Sequence, residues 1–300
     1  MTLFAPMSHE PSPPDVNYFE QHAGIWTRHG GISHRNNEYD VLGFDLLMHM
    51  QKEHFWHLGR YRFLLRALEE YVPLLRRPPD DLRAIDLGAG CGGWIHYLMT
   101  HHGPRFKEIA LADSSLRALE LARTVTGGAT RLFQTDLLDL GWENRWDIVF
   151  LLDVLEHLPD PLSALRQVRQ CLTPNGLLFV TVPALMAFWS YNDDIVNHQR
   201  RYSIQDLRDA ARESGLTLVK ARYFMFLLSP LLVASRLIGP RKLPVSREEI
   251  TALLTRTHRV PSRPVNAVLR AIFSLETPLG LRVSFPWGTS ALGVFQRRDS

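Results

Sequence analysis

The chain has 300 residues, of which 45% are hydrophobic and 22% are charged, an ordinary composition for a globular protein. The formal net charge is +3, and the arginines that supply most of the positive charge form no basic block, which argues against a nucleic-acid partner. The two cysteines, Cys91 and Cys171, exclude a disulfide framework and a cysteine-rich metal site, and they predict a cytoplasmic location. The N-terminus lacks the basic-then-apolar pattern of a signal peptide.

Residues 1–44 are predicted to form a leader and a cap. Prolines among small polar residues predict disorder over residues 1–16. Residues 17–40 are polar, and only short helical pieces are expected there. The three histidines of this region, His22, His29 and His34, lack the spacing of metal ligands and are interpreted as loop residues.

Residues 45–71 are predicted to be helical, with an interruption near Gly59. Apolar residues recur at helical spacing in the second half and predict a core-facing surface: Phe63, Leu64, Ala67, Leu68 and Tyr71. The stretch 53–60 is both aromatic and polar. Simple helix packing and a cap over a ligand pocket are equally open for it.

The stretch from Ala84 to Gly93 combines a β-rich run, three closely spaced glycines and the start of a helix over residues 93–101. Such a turn lets the backbone approach a nucleotide. It fits a dinucleotide-binding loop and an S-adenosylmethionine-binding loop equally well. Asp86, at the carboxyl end of the strand, favours a ligand that carries an ammonium and a sulfonium over a pyrophosphate.

Further strands are predicted to end in acids, at Asp113, Asp136 and Asp153. A fifth strand follows the Pro174-Asn175-Gly176 turn, and helices are expected between the strands over 115–124 and 161–171. This alternation predicts a doubly wound parallel sheet with its ligand at the carboxyl ends of the strands. An acid at the position of Asp113 binds ribose hydroxyls in either cofactor class.

The C-terminal third is predicted to contain a loop over 184–202, a helix over 204–214 and a strand over 216–223. The segment 224–239 is the most apolar in the chain, but Pro230 and Arg236 make it unsuitable for a membrane-spanning helix. It is interpreted as a lid, a dimer face or a membrane-surface helix. An exposed connection over 240–262, a helix over 264–276 and a last strand over 289–296 complete the chain.

Five motifs, in this order, make the chain resemble a class I S-adenosylmethionine-dependent methyltransferase: Asp86-Leu-Gly-Ala-Gly-Cys-Gly, Ala112-Asp113, Thr135-Asp136, Asp153-Val-Leu-Glu-His157 and Pro174-Asn-Gly176. The run 155–161 is similar to the branch that contains the ubiquinone-biosynthesis methyltransferases. The resemblance implies a Rossmann-like α/β fold with a seven-stranded, mostly parallel sheet whose last strand is antiparallel, an N-terminal helical extension and a C-terminal helical insertion. It implies a core over 45–223, an insertion over 224–288 and a final strand with a tail over 289–300.

The cofactor implied by the resemblance is S-adenosylmethionine, with S-adenosylhomocysteine as its product. The residues expected to bind it are Asp86, Gly88, Gly90, Gly93, Asp113, Ser114, Asp136, Leu137 and Asp153.

Methyl transfer to a hydroxyl requires a base or a metal to remove the proton. The candidate catalytic residues are His157, His198 and Tyr202. His157 is the preferred general base, because it follows the fourth strand, next to the expected position of the methyl group. The acceptor is expected to be a small, largely hydrophobic molecule, aromatic or lipid-like, and to contact Trp56, Arg60, Trp189, Tyr191, Arg200 and Arg201. Methylation at nitrogen or carbon of a natural product or quinone stays open, as do a non-catalytic cofactor-binding subunit and a peripheral membrane protein or homodimer that uses 224–239.

A divalent metal is the alternative to a histidine base. Asp153, Glu156 and His157 would share one face if their segment were helical. In the family branch that the run resembles, a similar acid-x-x-Glu-His pattern is associated with magnesium. An imidazole ligand instead favours a softer metal or none, and orientation by hydrogen bonds alone is the preferred interpretation.

Overall fold

A computed structural model of the chain describes residues 17–22, 24–35, 42–101, 106–237, 248–249, 252–253, 255 and 259–298. The predicted leader 1–16 and most of the connection expected over 240–262 lie outside the described residues.

One mixed sheet of nine strands forms the centre of the molecule. The strands are β1 (Tyr18–His22), β2 (Ile25–Arg28), β3 (Arg83–Leu87), β4 (Glu108–Asp113), β5 (Arg131–Gln134), β6 (Trp146–Leu152), β7 (Leu172–Pro183), β8 (Thr217–Phe224) and β9 (Ser290–Gln296). Their order is β1-β2-β5-β4-β3-β6-β7-β9-β8. The predicted Rossmann-like α/β fold is confirmed, as is the antiparallel last strand, since β9 pairs antiparallel with both β7 and β8.

The predicted count of seven strands is wrong because the N-terminal region adds two more. In the region expected to form short helical pieces, β1 and β2 pair antiparallel, and β2 pairs parallel with β5. These two strands of the N-terminal cap therefore extend the central sheet.

Nine helices are described around this sheet: α1 (Leu42–Glu53), α2 (Phe55–Tyr71), α3 (Gly93–Thr100), α4 (Leu116–Thr126), α5 (Pro161–Cys171), α6 (Tyr191–Ile195), α7 (Ile204–Ser214), α8 (Ser229–Leu237) and α9 (Arg263–Arg282). Short 3-10 helices cover Val72–Leu75, Pro79–Asp81 and Met186–Phe188. In the part of the chain that the structure describes, no helix is both long enough and apolar enough to cross a membrane.

The predicted helix break near Gly59 lies instead at His54, whose ring accepts a hydrogen bond from the Trp56 backbone and caps α2. Gly59 lies within α2, and a β-carbon there would collide with Phe273 of α9. A glycine at this position therefore serves close packing of the two helices.

Both faces of the sheet are buried, as in parallel α/β sheets. Successive residues of β6 alternate between the faces: Phe150 packs in the core that also holds α2 and α3, whereas Val149 and Leu151 pack with α5 and α7. The carboxyl ends of the parallel strands consequently meet along one edge.

Candidate functional site

A cavity of about 510 Å³ lies at this edge, beside the ends of β3, β4, β5 and β6. Three separate parts of the chain also line it: the segment after β2, the helices α1 and α2, and the segment from Asn192 to Arg201.

The glycine turn after β3 forms one wall. Gly88 has a φ of +71°, and a β-carbon there would lie 2.6 Å from a Val154 methyl carbon. Only glycine adopts this left-handed conformation without a steric cost while leaving the space open. The backbone N–H groups of Gly88 and Ala89 both donate to the Ala112 carbonyl, which ties the turn to β4. At Gly93, a β-carbon would crowd Gln51 and Tyr61.

Asp86 places a carboxyl in the cavity while being only 2% exposed. Its Oδ1 accepts no hydrogen bond from the described residues. Burial raises the pKa of Asp86 to about 8; Arg60 opposes the shift and Asp113 adds to it. A cationic group entering the cavity would stabilise the ionised form.

Asp113 holds the glycine turn in place. Its Oδ2 accepts from the Gly90 N–H and its Oδ1 from the Ser115 N–H, each at 2.9 Å. Each carboxylate oxygen can accept a second hydrogen bond, so both remain usable by a ligand hydroxyl. Burial raises the pKa of Asp113, although these backbone hydrogen bonds oppose the shift. The neighbouring Ser114 hydroxyl lies 2.8 Å from His34 Nδ1.

Asp136 lies in the cavity wall next to Leu137. Its Oδ1 accepts from the Leu138 N–H at 2.9 Å, and its Oδ2 forms a 2.5 Å ion pair with Arg35. No sequence motif singled out Arg35, and His34 was interpreted only as a loop residue. The segment after β2 therefore supplies three cavity residues that were not predicted as site residues, Ser33, His34 and Arg35.

Asp153 follows β6 with a φ of +54°. Its carboxylate forms an ion pair with Arg60 and accepts from the Thr181 hydroxyl at 3.2 Å. The Arg60 guanidinium lies 4.4 Å from the Trp56 ring centroid. All three predicted residues, Trp56, Arg60 and Asp153, line the cavity.

Glu156, His157 and His198 come together on another wall. Glu156 is fully buried, its carboxyl oxygens accept no hydrogen bond from the described part of the chain, and burial raises its pKa to about 8. The His198 Nε2 lies 4.0 Å from Glu156 Oε1, and the ring centroids of the two histidines are 4.8 Å apart.

Asp193 determines how His198 is oriented. Its Oδ1 accepts from His198 Nδ1 at 2.8 Å and from Arg201 Nε at 2.8 Å, and its Oδ2 accepts from Arg201 Nη2 at 3.1 Å. Burial opposes ionisation of Asp193, but the His198 and Arg201 interactions outweigh it and hold the pKa at about 2. Because an ionised carboxylate only accepts hydrogen bonds, His198 carries its proton on Nδ1. Asp193 was not among the predicted site residues. It lies three residues after Ser190 and completes a capping box with it, a pattern that indicates the start of a helix rather than a functional site.

The predicted metal set differs from the one that the structure brings together. Candidate ligand atoms of Glu156, His157 and His198 lie within 4.8 Å of one another, whereas Asp153 is paired with Arg60. The helical face expected for 153–157 is absent from the described fold, because residues 155–157 form a hydrogen-bonded turn. One carboxylate and two imidazoles fit a transition metal better than magnesium.

Four predicted site residues lie outside the cavity. Tyr202 is buried because its backbone pairs with the end of β7, and its hydroxyl donates to the Leu155 carbonyl at 3.2 Å. Trp189 donates to Asp194 and Arg200 to the Pro159 carbonyl, while Tyr191 begins α6. Arg201 does line the cavity, but its guanidinium is held by Asp193 and by the Ala184 carbonyl.

A family model described as a methyltransferase domain matches residues 55–221, more than half of the chain. The chain belongs to the class I S-adenosylmethionine-dependent methyltransferases. This membership confirms the family resemblance and the S-adenosylmethionine cofactor that it implies.

Two curated relatives of this methyltransferase are named ubiquinone biosynthesis O-methyltransferases. The protein of Leptothrix cholodnii is 30% identical over 106 residues, covering 34% of this chain and 44% of its own length. That of Marinobacter nauticus is 31% identical over 121 residues, covering 39% and 48%. The chain thus spans less than half the length of these relatives. A candidate sarcosine dimethylglycine methyltransferase from Galdieria sulphuraria shares the fold, with a TM-score of 0.52, 19% identity and coverage of 81% of this chain and 87% of that one.

Proposed function

We propose that this methyltransferase transfers the S-adenosylmethionine methyl group to a hydroxyl oxygen of a small, largely hydrophobic acceptor that is aromatic or lipid-like. The observation that carries the proposal is that one cavity contains both the Asp86 glycine turn and the His157–His198 cluster. The names of the curated relatives support oxygen over nitrogen or carbon as the acceptor atom. We place the protein in the cytoplasm.

The residues available to hold the cofactor are distributed along the strand ends. Asp86 would neutralise the charge of the ammonium at the methionine end. Asp113 would accept hydrogen bonds from the ribose hydroxyls, and Asp136 would accept one from the adenine amine. Because Arg35 occupies one oxygen of Asp136, this arginine would share or release that oxygen when adenine binds. When bound, the cofactor supplies an electrophilic methyl group and a good leaving group.

His198 is the best-positioned general base. In the neutral form of the ring, whose single proton lies on Nδ1 and is donated to Asp193, Nε2 can accept the proton of the acceptor hydroxyl. The oxygen then forms the new bond to the methyl carbon as the carbon–sulfur bond breaks, and S-adenosylhomocysteine leaves. His157, whose ring faces His198, would orient the acceptor, and Trp56 provides an aromatic surface for it.

The segment 224–239 contributes to substrate enclosure in this proposal. Leu232 of α8 lines the cavity, which supports a role as a lid. Leu227 and Leu231 are exposed, and they are the residues through which this segment would contact a membrane surface or a second copy.

The test is turnover of methyl-labelled S-adenosylmethionine with a panel of phenols, amines and activated carbon acids. Labelled product from a phenol supports the proposal, whereas labelled amine or carbon acid would reassign the acceptor atom. Cofactor binding without turnover of any acceptor would favour a non-catalytic subunit.

Activity after exhaustive chelation, with add-back of magnesium, manganese or zinc, separates the two ways of activating the hydroxyl. Full activity of the chelated enzyme supports His198 as the base. Activity that depends on an added ion would support the alternative, a metal held by Glu156, His157 and His198.

A further inference from the structure

The turn that leads into α8 lies at the rim of the cavity. Phe224, the last residue of β8, pairs with Ser290 of β9, which also pairs with Pro183 at the end of β7. Both Ser290 and Pro183 line the cavity. Because β9 is antiparallel to β7 and to β8, β8 ends at the same edge of the sheet as the parallel strands. Residues 225–228 therefore begin beside the cavity, and α8 follows them.

One buried carboxylate of α9 holds this turn. The Oε1 of Glu276 accepts from the Phe226 N–H at 3.0 Å, and its Oε2 accepts from the Leu227 N–H at 2.9 Å. One donor on each oxygen fits an ionised carboxylate, whose two oxygens both accept. Burial raises the pKa of Glu276, whereas the backbone N–H groups of the turn oppose the shift. Because the side chain is fully buried, removing the carboxylate would leave these N–H groups without their partner.

The backbone conformation of the turn makes this support necessary. Met225 has a φ of +60°, in the left-handed region that residues other than glycine rarely adopt. The Phe226 side chain is held as well, because its ring stacks on that of Phe285 at 4.7 Å and lies 4.9 Å from that of Trp287. Contacts with α9 and with the segment after it therefore stabilise an otherwise unfavourable turn.

The position of this turn determines where α8 meets the cavity. Leu232, in the first half of α8, lines the cavity. In the sheet, β4 and β5, which precede the acids assigned to the cofactor, lie on one side of β3, whereas β6 and the strands up to β8 lie on the other. His157 follows β6, so α8 approaches the cavity from the side of the histidine cluster.

We propose that Glu276 is a positioning residue for the acceptor: by fixing the turn 225–228, it holds α8 where Leu232 closes the acceptor end of the cavity. Glu276 lies outside the lining of the cavity, so it acts through α8. The effect on the acceptor rests on the proposed function, whereas the anchoring of α8 is a property of the ligand-free chain.

The test compares Glu276→Gln with the wild type in two measurements. A carboxamide has the same shape but one accepting oxygen, so its NH2 group would face one of the two backbone N–H groups. Hydrogen exchange over 226–237 in the ligand-free chain should become about tenfold faster, the scale of one lost hydrogen bond to a charged group. With a phenol that the wild type methylates, KM for the acceptor should rise about tenfold and kcat should stay within about threefold, while S-adenosylhomocysteine affinity stays unchanged.

The matched control is Thr277→Val, which removes a buried hydrogen bond of the same helix and leaves the turn intact. The Thr277 hydroxyl donates to the Phe273 carbonyl at 2.9 Å, within α9. Thermal unfolding measures the stability of each variant, and the control should leave exchange over 226–237 and the acceptor KM unchanged. Phe226→Ala removes the ring contacts of the turn and should give the same two changes as Glu276→Gln, so it carries the test if that variant fails to fold.

Unchanged exchange over 226–237 in Glu276→Gln would overturn the proposal, and so would faster exchange with an unchanged acceptor KM. Equal changes in Thr277→Val would also overturn it, because they would reflect a general loss of stability. Weaker S-adenosylhomocysteine binding by Glu276→Gln would place α8 against the cofactor instead of the acceptor. Absence of turnover with every phenol in the wild type would overturn the proposed function, and the exchange measurement would still decide whether Glu276 anchors α8.

Discussion

At the scale of single residues, Asp86 couples cofactor binding to pH. Its carboxyl is buried in the cavity wall, where burial raises its pKa to about 8, but in the unfolded chain the pKa is about 3.9. The unfolded state therefore releases this proton first as pH rises, and the free energy of unfolding contributed by Asp86 is greatest below about pH 4 and is lost as pH approaches 8.

Asp86→Asn should remove that pH dependence. Without a group that ionises, the ligand-free variant should be more stable than the wild type at pH 8 by roughly 1–3 kcal/mol. Urea unfolding at pH 5 and pH 8 measures this, with the exposed Asp80→Asn as a control.

The same carboxyl should make cofactor-product binding depend on pH. S-adenosylhomocysteine should bind the wild type more tightly as pH rises from 7 to 9 and bind Asp86→Asn weakly at both. A wild-type affinity that does not change with pH would contradict this role.

Asp193 is expected to affect catalysis indirectly, because its carboxylate orients His198. Asp193→Asn removes the charge that holds the His198 N–H, so kcat should fall by about 10²-fold while S-adenosylhomocysteine affinity stays unchanged, as calorimetry and steady-state kinetics would show. Asp194→Asn is the matched control, because Asp194 is exposed and accepts from Trp189 rather than from His198. Equal losses in the two variants would argue against an orienting role for Asp193.

A site residue could be predicted from the sequence only where it follows a recognisable strand. Asp86, Asp113 and Asp136 could be singled out because each follows an apolar run that is recognisable without any knowledge of contacts. Arg35 and Asp193 could not, because the first acquires its role from Asp136 and the second from His198 and Arg201. A loop residue carries no local signal for such contacts.

At the scale of elements, the turn between β3 and α3 can be tested with two glycines of similar conformation. Gly88 and Gly127 have φ values of +71° and +66°, but a β-carbon would meet Val154 at Gly88 and no atom within 4 Å at Gly127. Gly127→Ala should cost about 1 kcal/mol of unfolding free energy and leave cofactor binding intact. Gly88→Ala should cost more and also weaken S-adenosylhomocysteine binding at least about tenfold. Similar binding by both variants would show that the turn does not need the space at Gly88.

The helices and strands whose ends are marked by capping or turn residues could be predicted from the sequence. Those that are stabilised by contacts with distant parts of the chain could not. The helix over 204–214 matches α7 exactly in extent because Ser203 with Asp206 and Gly215 mark its two ends. The hairpin of β1 and β2 was missed because its stability comes from pairing with β5 and from the Tyr18 hydroxyl, which donates to the Leu140 carbonyl. Strand formation depends strongly on such tertiary context.

At the scale of the whole molecule, the cavity joins segments that lie far apart in the chain, and cofactor binding should therefore stabilise all of them together. The segment 33–35 contacts Asp136 and Ser114, and the end of α1 contacts the glycine turn through Gln51. The segment 190–201 is joined to the wall that holds Glu156 by the Gln199 N–H, which donates to the Glu156 carbonyl. A ligand that contacts all of these walls raises the free energy of local unfolding of each segment.

Hydrogen exchange with and without S-adenosylhomocysteine measures this coupling. With S-adenosylhomocysteine bound, we expect slower exchange in the described segments 33–35, 44–51, 86–93 and 190–201. When an acceptor is also bound, exchange in 190–201 and in α8 should slow further. The strand β8, which lies at the far edge of the sheet and contributes no residue to the cavity wall, serves as the internal control and should change little. Protection confined to 86–114 would mean that the cofactor occupies only the glycine turn, and the N-terminal segment and the 190–201 segment would then have no part in binding it.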